Sequence, residues 1–252
     1  MNISPGWPVA LALVVLLAVT VVANRVGRID LGRDSLVAGA RAVVQLGLVA
    51  LVITAVVGSV GLSLLAVAAM FSVAVVTTAR RVGAPDRWVW AAVAMACGVV
   101  PVVAILLLSG AVPFVGVAVI PVAGIVIGNT MTVHTLVGRR TFAALRDEHG
   151  QYEASLSLGL TSHQAIDEVI ARRVPEGIVP SLDQVRTSGI VTLPGAFIGV
   201  MLGGGSAVQA ATAQVLVLFA IMATQSITAG VQAELIRRRL LLSPDLRTAL
   251  VS

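Results

Sequence analysis

Lysine is missing altogether, and charged residues of every kind make up only 12% of the 252 positions. Soluble domains carry roughly 25% charged residues, so water is excluded as the main solvent of this chain. Aromatics are down to 4%. The net charge of +5 comes from arginines that punctuate apolar runs. Nucleic-acid binding needs a basic face interleaved with stacking aromatics, so a nucleic-acid partner is excluded too. The single cysteine, Cys97, lies in an apolar run and rules out a disulfide framework or a CxxC metal site. No GxxxxGK sequence followed by Ser or Thr occurs, so a phosphate loop of the chain's own is absent.

What is present is apolar length. Hydrophobic residues reach 58%, and a transmembrane helix needs about 20 of them in a row. Seven stretches approach that: 9–23, 40–57, 60–79, 88–108, 112–131, 188–202 and 210–231. The first has no positive charge before it, while Arg25, Arg28 and Arg33 follow. A secretory signal shows the reverse order, so this run reads as a retained helix.

The arginines then set the topology. Arg25, Arg28, Arg33 and Arg41 lie by the connection of spans one and two; Arg80, Arg81 and Arg87 lie between three and four. Arg139, Arg140, Arg146, Arg172, Arg173 and Arg186 lie between five and six, and Arg237, Arg238, Arg239 and Arg247 follow span seven. The connections at 58–59, 109–111 and 203–209 carry no charge of either sign. The positive-inside rule predicts an N-terminus outside and a C-terminus in the cytoplasm. The expected fold is therefore an all-α integral membrane protein of about seven transmembrane helices, a single permease domain over 1–252. It is multi-pass in the inner (plasma) membrane, with the lipid bilayer as its solvent.

One connection is long. Residues 132–187 form a polar cytoplasmic segment, and loops of that length in a compact protein are functional or structured. Helical spacing over 141–158 stops at Gly159. Thr161 or Ser162 caps a second helix; Thr161 with Gln164 fits a capping box. Ala165, Ile166, Val169 and Ile170 supply its apolar stripe and Pro175 ends it.

Within this segment, Glu153-Ala154-Ser155, three further residues and Gly159 resemble the EAA coupling motif of bacterial ABC-transporter permeases. That resemblance implies a cytoplasmic loop fitting a cleft of a separate ATP-hydrolysing subunit. Glu153, Ala154, Ser155, Gly159 and Ile166 are then the coupling residues. The later part departs from the motif, since Val174-Pro175 comes further on than its Leu-Pro pair.

A wider likeness runs from about residue 41 to 239. Arg41-Ala-Val-Val-Gln45, Ile120-Pro121 with Gly124, Gly128 and Asn129, the EASLSLG segment, and Val191-Thr192-Leu193-Pro194-Gly195 with Gly199 carry it. In order and spacing they resemble the small permeases of the FetB/YbbM (UPF0014) family, associated with iron export and including plant aluminium-tolerance permeases. The resemblance implies an ABC permease subunit for iron or another metal species. It binds no cofactor of its own, with ATP and Mg held by the partner ATPase. One chain of seven helices is a small pathway, so a homodimer of the permease with two ATPase subunits is expected.

Polar groups inside spans are costly and serve either helix packing or a pathway. Arg41, Gln45, Asn129, His134, Gln214 and Gln225 are the candidates, with Arg41 near enough to the boundary to snorkel. Pro194, Gly195 and Gly199 form either a packing face or a hinge in span six. Metal ligands are sparse: no Asp or Glu lies in the core of a span, and Met and Cys97 fit ordinary packing. The metal site is left unknown.

Two other functional classes fit the sequence less well. An ion-coupled carrier or channel working without an ATPase normally keeps Asp, Glu or His at mid-depth, and none is found there. An intramembrane serine enzyme at Ser206 needs a base, and His134 lies near the opposite face, roughly 30 Å away.

Overall fold

The structure, a computed structural model, describes residues 6–56 and 58–250. The chain divides into two compact units, Met1–Gly58 and Ser59–Ser252. Helices account for nearly all of both.

The first unit is a helical hairpin of α1 (Trp7–Val26) and α2 (Gly32–Val56). Asn24 Nδ2 donates to Ser35 Oγ at 3.0 Å and ties the hairpin's turn. Position 57, the expected end of the second span, lies outside the described residues.

The second unit holds α3 (Val60–Val82), α4 (Trp88–Leu108), α5 (Gly116–Asp147), α6 (His149–Ser157), α7 (Ser162–Ile170) and α8 (Arg173–Glu176). They are followed by α9 (Val179–Thr187), α10 (Gly195–Leu202), α11 (Ala207–Arg237) and α12 (Pro244–Ala249). Helices α3, α5 and α11 run parallel. Met70 packs at Gly124 and Val82 at Gly138, while Gln225 reaches Asn129 and Gln232 reaches His134. Helix α4 lies against α11 at Gly98, where an added Cβ would sit 2.2 Å from Thr228 Oγ1.

Six helices among the described residues are long and apolar enough to cross a bilayer: α1 to α5 and α11. The sixth of the expected spans, 188–202, is not one of them. Only the eight residues of α10 are helical there, about 12 Å of rise at 1.5 Å per residue. Its first half turns on itself: Gly189 takes φ +89° and donates to the Thr192 carbonyl at 2.8 Å. Pro194 then caps the helix in extended geometry.

Two spans overrun their expected ends. Helix α5 does not stop at 131; its 32 residues continue to Asp147. Helix α11 has 31 residues and ends at Arg237. Nothing between Met131 and Asp147 breaks a helix, so the change from apolar to polar sequence altered the solvent and left the backbone alone. Each helix is about 45 Å long against a hydrocarbon core of about 30 Å. The arginine-rich C-terminal parts of both helices form a stalk, and α6, α7, α8 and α12 pack around it.

Residues 240–250 complete that stalk, a feature the sequence reading passed over. Leu241, Leu242, Leu246 and Leu250 are almost completely buried. Arg239, at φ +61°, turns the chain out of α11 toward them. Arg146 donates to both carboxylate oxygens of Asp245, at 2.7 and 3.2 Å, and to Ser243 Oγ. Arg247 pairs with Asp86 of the connection between α3 and α4.

Candidate functional site

Two places collect the side chains singled out from the sequence. The first is the tip formed by α6 and α7. Gly159 sits at φ +89° in space that nothing crowds. That left-handed conformation, with Leu160 N–H donating to the Ser155 carbonyl, ends α6 as glycine readily does. Thr161 then caps α7: its hydroxyl accepts from Gln164 N–H, and the Gln164 side chain accepts from Thr161 N–H. The capping box is formed as expected.

The tip presents Glu153 and Ala154 to the outside. Between them and Gly159, Leu158 is 82% exposed, a large apolar side chain left open at the end of α6. Ser155 is nearly buried and donates to the Gln151 carbonyl. Ile166 is fully buried with Ala165, Val169 and Ile170. It therefore faces the stalk and not the tip surface, and can serve coupling only through packing.

That packing is reinforced by ion pairs. Arg237 of α11 donates to Asp167 of α7 at 2.7 Å. Arg173 bonds Glu148 at 2.6 Å and Glu176 at 3.2 Å, and Arg140 of α5 pairs with Glu176. The hydrogen bonds from Arg173 and Arg140 hold the Glu176 carboxyl below its ordinary range. The α6–α7 tip and the α8 segment beside it are thereby tied to both α5 and α11.

The second place is the interface of those two helices. Gln225 Nε2 lies 3.5 Å from both the Asn129 carbonyl and Asn129 Oδ1. Gln232 Nε2 donates to the His134 carbonyl at 3.0 Å. Two of the predicted pathway residues, Asn129 and Gln225, are thus brought together, and His134 meets α11 through its backbone carbonyl. Gln214 lies buried further along α11.

Sequence reasoning missed Thr78, Thr224, Thr228 and Gln232, each 0% exposed. Threonine is unremarkable in a span, and the expected helix ended one residue before Gln232. The legible signal was their spacing: 224 and 228, and 225 and 232, share one side of a helix.

The remaining candidates lie elsewhere. Arg41 and Gln45 are exposed on α2, in the first unit. Pro194 caps α10, and a Cβ added at Gly195 or Gly199 would meet nothing within 4 Å. The four-residue spacing of these glycines therefore makes no close helix contact among the described residues. Nor do His, Cys, Asp and Glu side chains gather into a group of three anywhere among those residues.

Comparison with known proteins supplies the identity that this geometry leaves open. No solved structure matches the chain. UPF0014 membrane protein STAR2 of Oryza sativa subsp. japonica is 31% identical over 88% of this chain and 78% of its own length. The probable iron export permease protein FetB of Escherichia coli K12 is 30% identical over 91% and 90%. Protein ALUMINUM SENSITIVE 3 of Arabidopsis thaliana is 29% identical over 84% and 78%. The profile of the uncharacterised protein family UPF0014 matches residues 7–241, and the chain is a multi-pass membrane protein of that family.

Proposed function

We propose that this chain is the membrane-spanning permease subunit of an ABC transporter that exports iron or another metal species. It resides in the inner (plasma) membrane and works as a homodimer, with ATP and Mg bound by a separate ATPase. The observation that carries the reading is the α6–α7 tip, where Glu153, Ala154 and Leu158 stand exposed on a stalk ion-paired to α5 and α11. A partner protein docking there would bury Leu158 and meet the charge of Glu153. The metal cargo rests on the name of the Escherichia coli relative.

The same reading includes seven crossings. Because α5 and α11 are parallel, residues 148–206 must return the chain to the charge-free end. Helices α9 and α10, joined by the turn at 188–192, are the part available to do it. Broken helices are tolerated at membrane depth where protein or a cavity surrounds them. Arginine placement then puts the N-terminus outside and the C-terminus in the cytoplasm.

The test is co-purification with an ABC-type ATPase encoded beside the gene. The wild-type chain retains the ATPase and stimulates its hydrolysis. Glu153→Arg and Leu158→Asp each lower both by about tenfold, the loss of roughly 1.4 kcal/mol of binding, while the permease still elutes as a single species. Full-rate transport by the isolated chain would refute the reading. Unchanged metal content in cells lacking the protein removes the metal cargo alone.

A further inference from the structure

The turn of the first unit gathers positive charge that its own residues do not neutralise. An open concavity of about 490 Å³ lies between the end of α1 and the start of α2. Small-molecule sites run from about 300 to 1,000 Å³. Arg25, Arg28 and Arg33 line the concavity with Asp30, and Val21 and Leu36 add apolar wall. None of the three arginine side chains has an ion-pair or hydrogen-bond partner among the described residues. Arginines of the stalk behave otherwise: Arg140, Arg146, Arg173, Arg237 and Arg247 each hold a carboxylate. With Asp30 counted against the three arginines, the concavity keeps two positive charges in excess.

The backbone singles out one of the three. Arg28 is held in the left-handed region at φ +52°, which glycine adopts freely and most other residues do not. A glycine stands next to it, yet Gly27 takes ordinary helical angles. Hydrogen bonds fix the turn in this form: Arg28 N–H donates to the Arg25 carbonyl at 3.2 Å, and Ile29 N–H to the Asn24 carbonyl at 2.8 Å. A turn that only reversed the chain would be less strained with glycine at position 28. Positive charge beside a span also orients it. Orientation does not require the charges to surround one concavity, or one of them to sit in left-handed backbone.

The place decides what kind of anion fits. Helices α1 and α2 are both long and apolar enough to cross a bilayer, so their turn lies at its boundary. No residue of α1 is buried. A free anion would leave the apolar wall of Val21 and Leu36 unused. A phospholipid sets its phosphate among the arginines and covers that wall with the start of its acyl chains. The guanidinium fork matches phosphate geometry, and basic pockets between membrane helices take anionic headgroups.

We infer that the α1–α2 turn is a binding site for the phosphate of an anionic phospholipid, held by Arg25, Arg28 and Arg33. The inference stands apart from the transport reading, which gives these residues no ligand.

Lipid binding by the full chain tests it. Native mass spectrometry in a non-ionic detergent counts bound lipid as phosphatidylglycerol or phosphatidylcholine is added. Phosphatidylglycerol is expected to bind roughly tenfold or more tightly than phosphatidylcholine. Arg28→Gly and Arg33→Gln each weaken it about fivefold, the scale of one arginine at an anionic surface. Arg28→Gly also relieves the left-handed position, so without lipid it melts no lower than wild type. Weaker lipid binding by a chain that is no less stable excludes a purely structural role. Arg33→Gln carries the test should Arg28→Gly not fold. Arg80→Gln removes an exposed arginine of the second unit and is expected to leave lipid binding unchanged. Equal weakening by Arg80→Gln would show general surface charge and overturn the site, as would equal binding of the two lipids. Displacement of phosphatidylglycerol by millimolar inorganic phosphate would reassign the concavity to a free anion and overturn the lipid. Each of these failures leaves the ABC reading standing.

Discussion

At the scale of single residues, glycines show why the same letter carries different physics at different places. Gly98 is required for space. A Cβ there would meet Thr228 Oγ1 at 2.2 Å and the Thr224 carbonyl at 2.7 Å, and a backbone carbonyl cannot rotate aside. Gly98→Ala therefore forces α4 away from α11. Overpacking of this kind costs about 1–3 kcal/mol, and a lower melting temperature in detergent is the expected result. Gly199→Ala places its methyl in open space and leaves melting unchanged or slightly raised, because a helical glycine is entropically costly. Equal melting of the two variants would contradict the α4–α11 contact. In the sequence these two glycines look alike: each stands in an apolar run, and only the neighbour's position separates them. The spaced glycines 195 and 199 attracted attention, whereas Gly98 did the packing.

At the scale of elements, the C-terminal segment is the clearest case of structure that the sequence held without displaying. Three consecutive leucines and an SPDL turn follow an arginine cluster and read as a tail. They are a plug, because the emergent stalk of α5 has an apolar flank that Leu241, Leu242, Leu246 and Leu250 cover. Replacing Leu246 with alanine is expected to cost about 2–5 kcal/mol, measured by thermal or denaturant unfolding. A loss within a few tenths would mean that the segment is not docked. Hydrogen bonds from Arg146 and Ser243 hold the Asp245 carboxyl well below its ordinary range. Its stabilising contribution is therefore complete above the unfolded value of about 3.9 and is lost as pH falls through the lower folded value. Both partners are about half exposed, so the contribution is modest and salt-sensitive. The melting-temperature gap between wild type and Asp245→Asn should be present at neutral pH and shrink under strong acid. A gap that stays constant on acidification would mean the pair is not formed. By contrast, the capping box at Thr161 and the stop at Gly159 were legible, since caps are local chemistry written within a few residues.

At the scale of the whole molecule, the sequence and the structure divide the topology between them. Within the second unit the arginine-bearing connections lie together, Arg139 donating to the Arg81 carbonyl and Arg247 pairing with Asp86, as expected where charge is repelled from hydrocarbon. Among the described residues six helices are long enough to span and the segment 188–202 is not one of them, since Gly189 and Pro194 interrupt what composition alone made look continuous. The direction of α11 relative to α5 decides what the broken segment must do. Had residues 148–206 stayed on one side, α11 would start at the arginine-rich end and run antiparallel to α5. Then Gln225 and Gln232 could not meet Asn129 and His134 in ascending order, as they do. Seven crossings place the two chain ends on opposite sides of the membrane; six place them on the same side. A reporter fused at residue 1 and another at residue 252 separate these directly. The expected outcome is an N-terminal tag open to impermeant reagents on intact cells and a C-terminal tag reached only after permeabilisation. Tags that behave alike would overturn the seven-crossing reading, and with it the placement of the α6–α7 tip opposite a cytosolic motor.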